Sequence, residues 1–455
     1  MKVEFLPYHC TEPSQRLLLI FAGWGSDASI ARKIERADFH VAVAYDYLAE
    51  GMTDADLSRI SQYGEIMVLA WSYGVAAAAI FMHAHKHLPF SVRIAVNGTH
   101  TPVDALTGIL PAIFQGTLER LSELTLQKFQ RRMCGSAEAY KRYCEEMLPQ
   151  RSVDSLRAEL KYLGSLSAGN ISSGIWDIVY LSQHDMIIPA ESQRRAWGAH
   201  HCVRVTDWSH LPDFAQIVSN EIANKHYLTR RFAQTAGTYE SHARVQQLSA
   251  AELAKMIGEC APPPGPVLEI GSGSGLFTRL LQQCIPTSEL TLWDLTPIPD
   301  DLPGNHLQCD AETEIKRLAP GSMSLIAAAS VIQWFDSPPR FMEECARALR
   351  PGGVLAVVTY GPDTYASIRD FTAGFKPRYY SVAQWHKILS PHFSISKIVR
   401  KTHRLEFADS HQLARHISLT GVNASTPATS SIRRLLRSGI RTLEYQPIFI
   451  LAVAK

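Results

Sequence analysis

Short apolar runs alternate with helix-like patterns along the whole chain. In the first half these runs predict three buried strands and a helix, at 17–21, 41–44, 66–69 and 75–81. In the second half the run 267–270 predicts a strand, and apolar residues at helical spacing follow from Leu276. Strands that run directly into helices predict an α/β fold for each half.

A glycine loop joins the strand at 267–270 to its helix. The loop reads Glu-x-Gly-x-Gly-x-Gly, with its acid and glycines at Glu269, Gly271, Gly273 and Gly275. Glycine permits left-handed backbone and lets a ligand approach closely. Leu276 stands where the dinucleotide-binding pattern needs its last glycine. The loop resembles the first motif of class I S-adenosylmethionine (SAM) methyltransferases, so these four residues are expected to bind SAM. A βα turn without a ligand is the alternative.

Two later strands of the second half end in acidic residues. One ends at Asp294, which is placed to bind the ribose hydroxyls of SAM. The next strand region ends at Asp310 and Ala311, where Asp310 is expected to accept from the adenine amino group. Strands at 324–330 and 354–359 complete a Rossmann-like domain. Acidic strand ends that are simply solvated are the alternative.

Ser72 lies on a tight turn between the strand at 66–69 and the helix at 75–81. This arrangement resembles the nucleophile elbow of α/β-hydrolases, with Ala70 in place of the usual first glycine. Small neighbours are required because the turn is strained and closely packed. Ser72 is therefore the candidate nucleophile, and a structural serine in a turn is the alternative.

A nucleophilic serine requires a base, and the base requires an orienting acid. The α/β-hydrolases place them in the order serine, acid, histidine. Asp185 follows the predicted strand at 176–181, and His210 ends a short strand that begins at Val203. Asp185 is thus the expected acid and His210 the expected base, with Asp207 as the second candidate for the acid.

The sequence also offers candidates for the backbone N–H groups of the oxyanion hole and for a helical cap over the site. Two backbone N–H groups should stabilise the oxyanion, and those of Trp24 and Tyr73 are expected to do so. The helical stretch from about 113 to 165 lies between the serine and the acid, where hydrolases carry a cap. Its apolar side chains, which include Phe129 and Met133, either line an acyl channel or form the core of the cap.

Two peptide motifs of the first half are specific when taken together. Phe-Ala-Gly-Trp-Gly at 21–25 and Trp-Ser-Tyr-Gly at 71–74 resemble the pimeloyl-ACP methyl ester esterases of biotin synthesis, where ACP is acyl carrier protein. The resemblance covers roughly residues 1–220. It implies that Ser72 is the nucleophile, His210 the base and Asp185 the orienting acid.

The second half carries a separate set of motifs. They resemble the malonyl-ACP O-methyltransferases of biotin synthesis and lie at 239–246, 333–334, 359–364 and 414–423. The resemblance covers roughly residues 226–455. It implies SAM as methyl donor and the carboxylate of a malonyl thioester, on ACP or coenzyme A, as acceptor.

The implied acceptor sets what the second site must provide. A carboxylate is already ionised at neutral pH, so it needs no general base. A cation should hold it, and Arg415 is the candidate. Tyr239 and His242 are expected to cover the cofactor, with His242 and Trp334 also close to the substrate.

The totals limit the classes of protein that remain. At 455 residues the chain predicts two or three domains, and the two resemblances divide it at 1–222 and 223–455. A net charge of +2 gives no general signal for nucleic acid. The 8 cysteines form no Cys-x-x-Cys, and the histidines at 83, 85 and 87 are expected on a solvated helix, so no metal site is predicted. No signal peptide or membrane helix is indicated, and a cytoplasmic location is expected.

The sequence therefore predicts a bifunctional enzyme whose partner is acylated ACP. Because ACP is acidic, basic clusters are candidate docking sites, with solvated helix faces as the alternative. They lie at Arg131, Arg132, Lys141, Arg142, Arg433, Arg434, Arg437 and Arg441. One alternative is a methyltransferase whose first half is a non-catalytic module that binds the carrier. Another is a lipase-like hydrolase joined to a small-molecule methyltransferase. The oligomeric state stays open.

Overall fold

The computed structural model describes residues 1–7, 14–34, 38–48, 51–149, 151–198, 200, 202–285, 289–371, 377–420 and 429–455. The chain divides into two compact units, Met1–Val218 and Ser219–Lys455. Over the described residues each unit has a seven-stranded, mostly parallel sheet, which confirms the α/β prediction. The domain boundary between residues 222 and 223 stays a prediction.

The first unit is built on a sheet with strand order β1-β3-β2-β4-β5-β6-β7, in which β1 is the antiparallel edge strand. Its strands are β1 (Lys2–Phe5), β2 (Arg16–Phe21), β3 (His40–Tyr45), β4 (Glu65–Trp71), β5 (Phe90–Val96), β6 (Ile178–Ser182) and β7 (Val203–Thr206). Its helices are α1 (Asp54–Ile60), α2 (Gly74–Ala84), α3 (Pro111–Glu119), α4 (Glu123–Cys134), α5 (Ala137–Glu146), α6 (Val153–Ser165) and α7 (Ala190–Trp197), with 3-10 turns at Ala28–Ala31 and Ser173–Ile175. Helix α8 (Phe214–Glu221) spans the boundary between the units.

The central strands of this sheet are buried along their whole length. Every residue of β2 and β4 is buried, as expected for parallel strands covered on both faces. Helix α2 packs closely on them because its sequence Val-Ala-Ala-Ala-Ala at 75–79 presents small side chains. The carboxyl ends of these strands therefore meet at one edge of a rigid sheet.

Four helices, α3 to α6, are inserted between β5 and β6, in the stretch predicted to form a cap. Serine side chains start three of them by accepting a backbone hydrogen bond, at Ser122, Ser136 and Ser152. Gly135 ends α4 with a φ of 74°. These local signals explain why the insertion is helical.

The second unit has strand order β10-β9-β8-β11-β12-β16-β13, and β16 is antiparallel to both of its neighbours. Its strands are β8 (Val267–Ile270), β9 (Leu290–Asp294), β10 (Asn305–Gln308), β11 (Met323–Ala329), β12 (Leu349–Tyr360), β13 (Phe393–Arg400), β14 (His403–Glu406), β15 (Thr442–Tyr445) and β16 (Pro447–Ala454). Its helices are α9 (Lys225–His242), α10 (Arg244–Cys260), α11 (Leu276–Cys284), α12 (Ala311–Glu314), α13 (Pro338–Ala348), α14 (Val382–Leu389), α15 (Ser410–Leu419) and α16 (Thr429–Arg437). The 3-10 turns are Ile315–Arg317, Ile332–Trp334 and Ala366–Phe371.

Chain reversal beside β8 places the glycine loop where α/β sheets bind ligands. The chain runs from β8 outward through β9 to β10 and then crosses to β11 on the other side of β8, so the strand order reverses beside β8. A crevice opens at such a point outside the carboxyl ends of the strands. The loop after β8 lies at that position.

None of the helices in the described ranges is long and apolar enough to cross a membrane. The described residues also contain no group of three or more histidine, cysteine or acidic side chains arranged to hold a metal ion.

Candidate active sites

Ser72 occupies a strained turn at the end of β4. Its φ is 58°, in the left-handed region that residues other than glycine rarely adopt. Its backbone N–H donates to the Val96 carbonyl at 2.9 Å, and its carbonyl accepts from the N–H of Val75 at 3.1 Å. The strand and the helix α2 thus hold the turn from both sides and fix the direction of the hydroxyl.

Glycines surround this turn because the backbone segments approach closely. A Cβ on Gly74 would lie 2.3 Å from the carbonyl oxygen of Phe21, and one on Gly23 would lie 3.0 Å from the Cβ of Ser72. Ala70 is fully buried within β4, where its methyl group is accommodated. The departure from the usual first glycine is therefore compatible with the turn.

His210 and Asp185 complete a chain of hydrogen bonds from Ser72. The Nε2 atom of His210 lies 2.9 Å from the Ser72 hydroxyl, and its Nδ1 lies 2.8 Å from Asp185 Oδ2. All three side chains are buried. Because an ionised carboxylate only accepts, Nδ1 carries the proton and Nε2 is left to accept from serine.

Surrounding hydrogen bonds hold the histidine and the acid in place. The carbonyl of His210 accepts from the indole of Trp71 and the amide of Asn97, both at 2.9 Å. Asp185 Oδ1 accepts from the N–H groups of Ile187 and Ile188. Asp207, the second candidate for the acid, is exposed and does not contact His210 in the structure.

Gln193 is a member of this network that the sequence did not reveal. Its Nε2 donates to Asp185 Oδ2 at 2.8 Å and to the carbonyl of Ile188 at 2.8 Å. It lies fully buried on α7, eight residues after the acid. A single glutamine in a short helix carries no sequence signal, so only the fold brings it to the acid.

The first unit has a small cavity of about 40 Å³. Trp24 and Tyr73 line it, together with Phe114, Phe129 and Arg132 of the predicted cap. The backbone N–H groups of Trp24 and Tyr73 donate to no other residue that the structure describes, so they are available to an oxyanion. Met133 is buried but does not line the cavity.

In the second unit, the glycine loop has left-handed backbone at all three glycines. The φ values are 73° at Gly271, 52° at Gly273 and 81° at Gly275, and α11 begins directly afterwards. A Cβ on Gly271 would lie 2.7 Å from Val331, so this glycine permits close packing. No atom lies within 4 Å of a Cβ built on Gly273, which instead faces open space.

A cavity of about 490 Å³ opens in front of this loop. That volume lies in the range of about 300–1,000 Å³ found for small-molecule sites. Gly273, Ser272 and Ser274 line it, and the two buried serine hydroxyls have no hydrogen-bond partner among the described residues. Open space at Gly273 and two unpaired hydroxyls fit a polar cofactor such as SAM.

Asp294 also lines the cavity and holds the loop in place. Its Oδ2 accepts from the N–H of Gly273 at 2.8 Å, and its Oδ1 accepts from the N–H of Thr296 at 2.7 Å. Each carboxylate oxygen has two lone pairs, so Oδ2 retains a site for a further donor. The predicted contact with ribose is therefore compatible with this geometry.

Glu269 lies beneath the loop and does not line the cavity. Its side chain is 0% exposed, and neither carboxylate oxygen makes a hydrogen bond that satisfies normal geometry. Burial raises the pKa of Glu269 to about 8; the nearby Thr278 hydroxyl opposes this rise, and the charge of Asp294 adds to it.

Six predicted site residues do not line the cavity: Glu269, Gly275, Asp310, Ala311, His242 and Arg415. Asp310 caps α12 by accepting from the N–H of Glu312, its Oδ2 lies 3.4 Å from Lys225 Nζ, and neither Asp310 nor Ala311 lines the cavity. Arg415 is exposed on α15 and also lies outside the lining, so the structure does not bring it to this cavity. The Nδ1 of His242 contacts the carbonyl of Thr238 instead. The motif at 414–423 extends past residue 420 beyond the described residues.

Four tyrosines line the cavity, together with the cation Arg279. Tyr239 was predicted there, whereas Tyr360, Tyr365 and Tyr379 were missed. The hydroxyls of Tyr239 and Tyr379 have no hydrogen-bond partner among the described residues. Burial raises the pKa of both phenols, so they remain protonated donors at neutral pH. Trp334 lines the same cavity as predicted, with its ring against Phe232.

Comparisons with known proteins divide the chain in the same way. Residues 5–222 match the family described as pimeloyl-ACP methyl esterase BioG, and residues 239–418 match a family described as methyltransferase domain. The malonyl-[acyl-carrier protein] O-methyltransferase of Bacteroides fragilis (strain 638R) is 31% identical over 472 residues, which cover 97% of this chain and 94% of that protein.

Two further relatives match the first half. An uncharacterized protein of Haemophilus influenzae is 30% identical over 243 residues, which cover 53% of this chain and 100% of that protein. The crystal structure of BioG from Haemophilus influenzae has 31% identity and a TM-score of 0.41, and the match covers 47% of this chain and 95% of that chain.

Backbone strain at Ser72 predicts a difference between two substitutions. Ser72→Gly relieves the left-handed strain, whereas Ser72→Ala retains it, and neither keeps the hydroxyl. We expect the glycine variant to be more stable by about 1 kcal/mol in the unfolding transition of the first unit, measured with denaturant. Equal stabilities would contradict the left-handed conformation.

The buried carboxyl of Glu269 predicts a pH-dependent stability. Between pH 4.5 and 8 the folded chain keeps a proton that the unfolded chain releases, so stability falls as pH rises through this window. Glu269→Gln removes this titration, and its thermal midpoint should fall less steeply over the same range. Glu259→Gln, at an exposed site on α10, is the control that should follow the original protein. Parallel curves for Glu269→Gln and the original protein would contradict the assignment.

Proposed function

The chain belongs to the malonyl-[acyl-carrier protein] O-methyltransferase family, in a form that joins a BioG esterase domain to a methyltransferase domain, and from this premise we propose a bifunctional enzyme of biotin synthesis. The second unit transfers a methyl group from SAM to the free carboxylate of malonyl-ACP. The first unit hydrolyses the methyl ester of pimeloyl-ACP to pimeloyl-ACP and methanol. The hydrogen-bond chain Ser72–His210–Asp185 is the observation that supports the ester hydrolysis by the first unit.

Ester hydrolysis follows from the geometry at Ser72. The hydroxyl oxygen attacks the methyl ester carbonyl while His210 Nε2 takes its proton, and Asp185 stabilises the imidazolium that forms. The N–H groups of Trp24 and Tyr73 stabilise the oxyanion. The imidazolium then gives its proton to the departing methoxide, which leaves as methanol. A water molecule, activated by the same histidine, cleaves the acyl-serine and regenerates Ser72.

Methyl transfer requires the second unit to bind and orient two substrates. SAM supplies an electrophilic methyl group when it is bound. The backbone of the glycine loop and the hydroxyls of Ser272 and Ser274 are the groups that would hold it, with Asp294 at the ribose. The acceptor carboxylate is already a nucleophile, so the remaining task is to position it and to exclude water.

The tyrosines provide donors for the acceptor carboxylate. Tyr239 and Tyr379 carry hydroxyls that line the cavity without a described partner. A phenol donates one neutral hydrogen bond, which orients a carboxylate without the strong charge neutralisation of an arginine. The carboxylate thereby keeps more of its nucleophilic charge than it would in an ion pair.

Selectivity between the two esters has a physical basis in the first unit. The enzyme must not hydrolyse the malonyl-ACP methyl ester that it has just formed. We propose that a longer acyl chain is needed to bring the ester past the cap to Ser72, where the cavity is narrow.

The methyl ester formed by the second unit has a role in elongation of the acyl chain. It removes the charge of the malonyl carboxylate, because an unpaired carboxylate is costly to bury in an acyl-binding tunnel.

The proposal predicts two mass changes in one preparation. Malonyl-ACP with SAM should gain one methyl group, and pimeloyl-ACP methyl ester should lose one, as followed by intact mass. Ser72→Ala should slow only the loss, by about 10⁴-fold or more. Tyr379→Phe should weaken only the gain, by about 10-fold for one hydrogen bond to a charged group.

Other substrates provide the controls. The malonyl-ACP methyl ester should be cleaved more slowly than the pimeloyl ester, and equal rates would contradict selection by chain length. Free malonate should be a poor acceptor, and a preference for it would favour an unrelated small-molecule methyltransferase. A gain without any loss would favour the alternative in which the first unit is a non-catalytic carrier-binding module.

A further inference from the structure

Glu159 is a fully buried acid that the proposed mechanism does not use. It lies on α6 with 0% of its surface exposed. Its Oε2 accepts from the N–H of Gly25 at 3.1 Å and from Arg151 Nη1 at 2.7 Å, and its Oε1 accepts from the N–H of Tyr47 at 3.0 Å. An acid in the cap thus contacts the backbone of two loops, the one after β2, which carries Trp24, and the one after β3.

Helix α6 holds that loop at a second point. The indole Nε1 of Trp24 donates to the carbonyl of Leu156 at 2.8 Å, one turn before Glu159. The ring of Trp24 also packs edge-on against Phe129 of α4, at 4.9 Å between centroids. Because both the side chain of Trp24 and the next peptide N–H are fixed by α6, the orientation of the Trp24 backbone depends on the cap.

Further hydrogen bonds hold Arg151, the cation that contacts the Glu159 carboxylate. Arg151 also donates to Asp46 Oδ1 at 2.7 Å and to the Ser155 hydroxyl at 3.0 Å. Burial raises the pKa of Glu159 above its usual range, and the Arg151 charge and the backbone N–H donors only partly oppose this rise. A buried ion pair adds little net stability compared with apolar residues of the same shape, so stability alone does not account for it. Its geometric effect is to hold two backbone N–H groups of the first unit.

We propose that Glu159 is a positioning residue for ester hydrolysis: by binding the Gly25 N–H, it holds the adjacent Trp24 N–H in the direction that stabilises the oxyanion. This inference rests on the proposed esterase activity. It gives the cap a part in stabilising the transition state, in addition to covering the acyl chain. Glu159 does not contact the substrate, so it acts only through the loop.

Substitution of Glu159 should lower turnover without weakening substrate binding. In Glu159→Met the Gly25 N–H loses its acceptor, and we expect kcat for pimeloyl-ACP methyl ester to fall about 10–100-fold while KM stays within about 3-fold. Glu159→Gln replaces a charged acceptor by a neutral one and should show a smaller loss of kcat in the same direction. The glutamine variant also decides the question if the methionine variant fails to fold.

A transition-state analogue separates positioning from general damage to the fold. An alkyl trifluoromethyl ketone forms a tetrahedral adduct with serine, and its inhibition constant should rise in parallel with the loss of kcat/KM. Leu163→Val is the control, because Leu163 is buried on the same helix and contacts neither Gly25 nor Trp24 through a hydrogen bond. This variant should lose stability but keep kcat and the affinity for the ketone.

Each outcome distinguishes the inference from the activity on which it rests. Folded Glu159 variants with unchanged kcat, or with a loss no larger than that of Leu163→Val, would overturn the positioning role. A rise in KM alone would also overturn it, because that result places Glu159 in substrate binding. If the unsubstituted protein does not hydrolyse the ester, the proposed function itself fails.

Discussion

The left-handed backbone of Ser72 is the constraint on which the first unit depends. A φ of 58° costs free energy for a serine, and the structure retains it because both neighbouring elements fix the turn. Gly74 and Gly23 are small because the backbone of β2 and the loop after it lie against this turn. The turn thereby fixes the position of the Ser72 hydroxyl relative to His210, Asp185 and the N–H of Tyr73. The loop after β8 in the second unit also has left-handed backbone, but its left-handed residues are glycines, which adopt this conformation without strain. Such a loop can bring its backbone close to a ligand, whereas the turn at Ser72 presents one side chain.

Local sequence patterns sufficed for the parts of each site that lie on one strand–turn–helix segment. Ser72, the three glycines of the loop after β8 and Asp294 are predicted from apolar runs, turn residues and the resemblance of these segments to known motifs. The chain order of the hydrolase residues also gave Asp185 and His210, which the fold brings within hydrogen-bond distance. These features were predictable because residues that are adjacent in the sequence determine where a strand ends and where a glycine turn forms.

Contacts between distant segments were not predictable in this way. Gly25 and Glu159 are separated by 134 residues, and no periodicity or motif links them. Arg415 is predicted as the cation for a carboxylate, but it is exposed on α15 and does not line the cavity, whereas Arg279 and four tyrosines do. Asp310 likewise binds Lys225, a partner that the pattern of strand ends did not reveal. Charge and residue type identify what a site needs, whereas the packing of helices decides which residue provides it.

The central claim is that the first unit is a catalytic site and not an inert module attached to a methyltransferase. A fluorophosphonate reacts with a serine only when a base activates it and an oxyanion hole stabilises the adduct. The most direct measurement is therefore the intact and peptide mass of the full chain after exposure to such a reagent. The account predicts one adduct per chain, located on Ser72 and lost in His210→Ala. An unlabelled Ser72 in folded protein, or labelling that persists without His210, would contradict it.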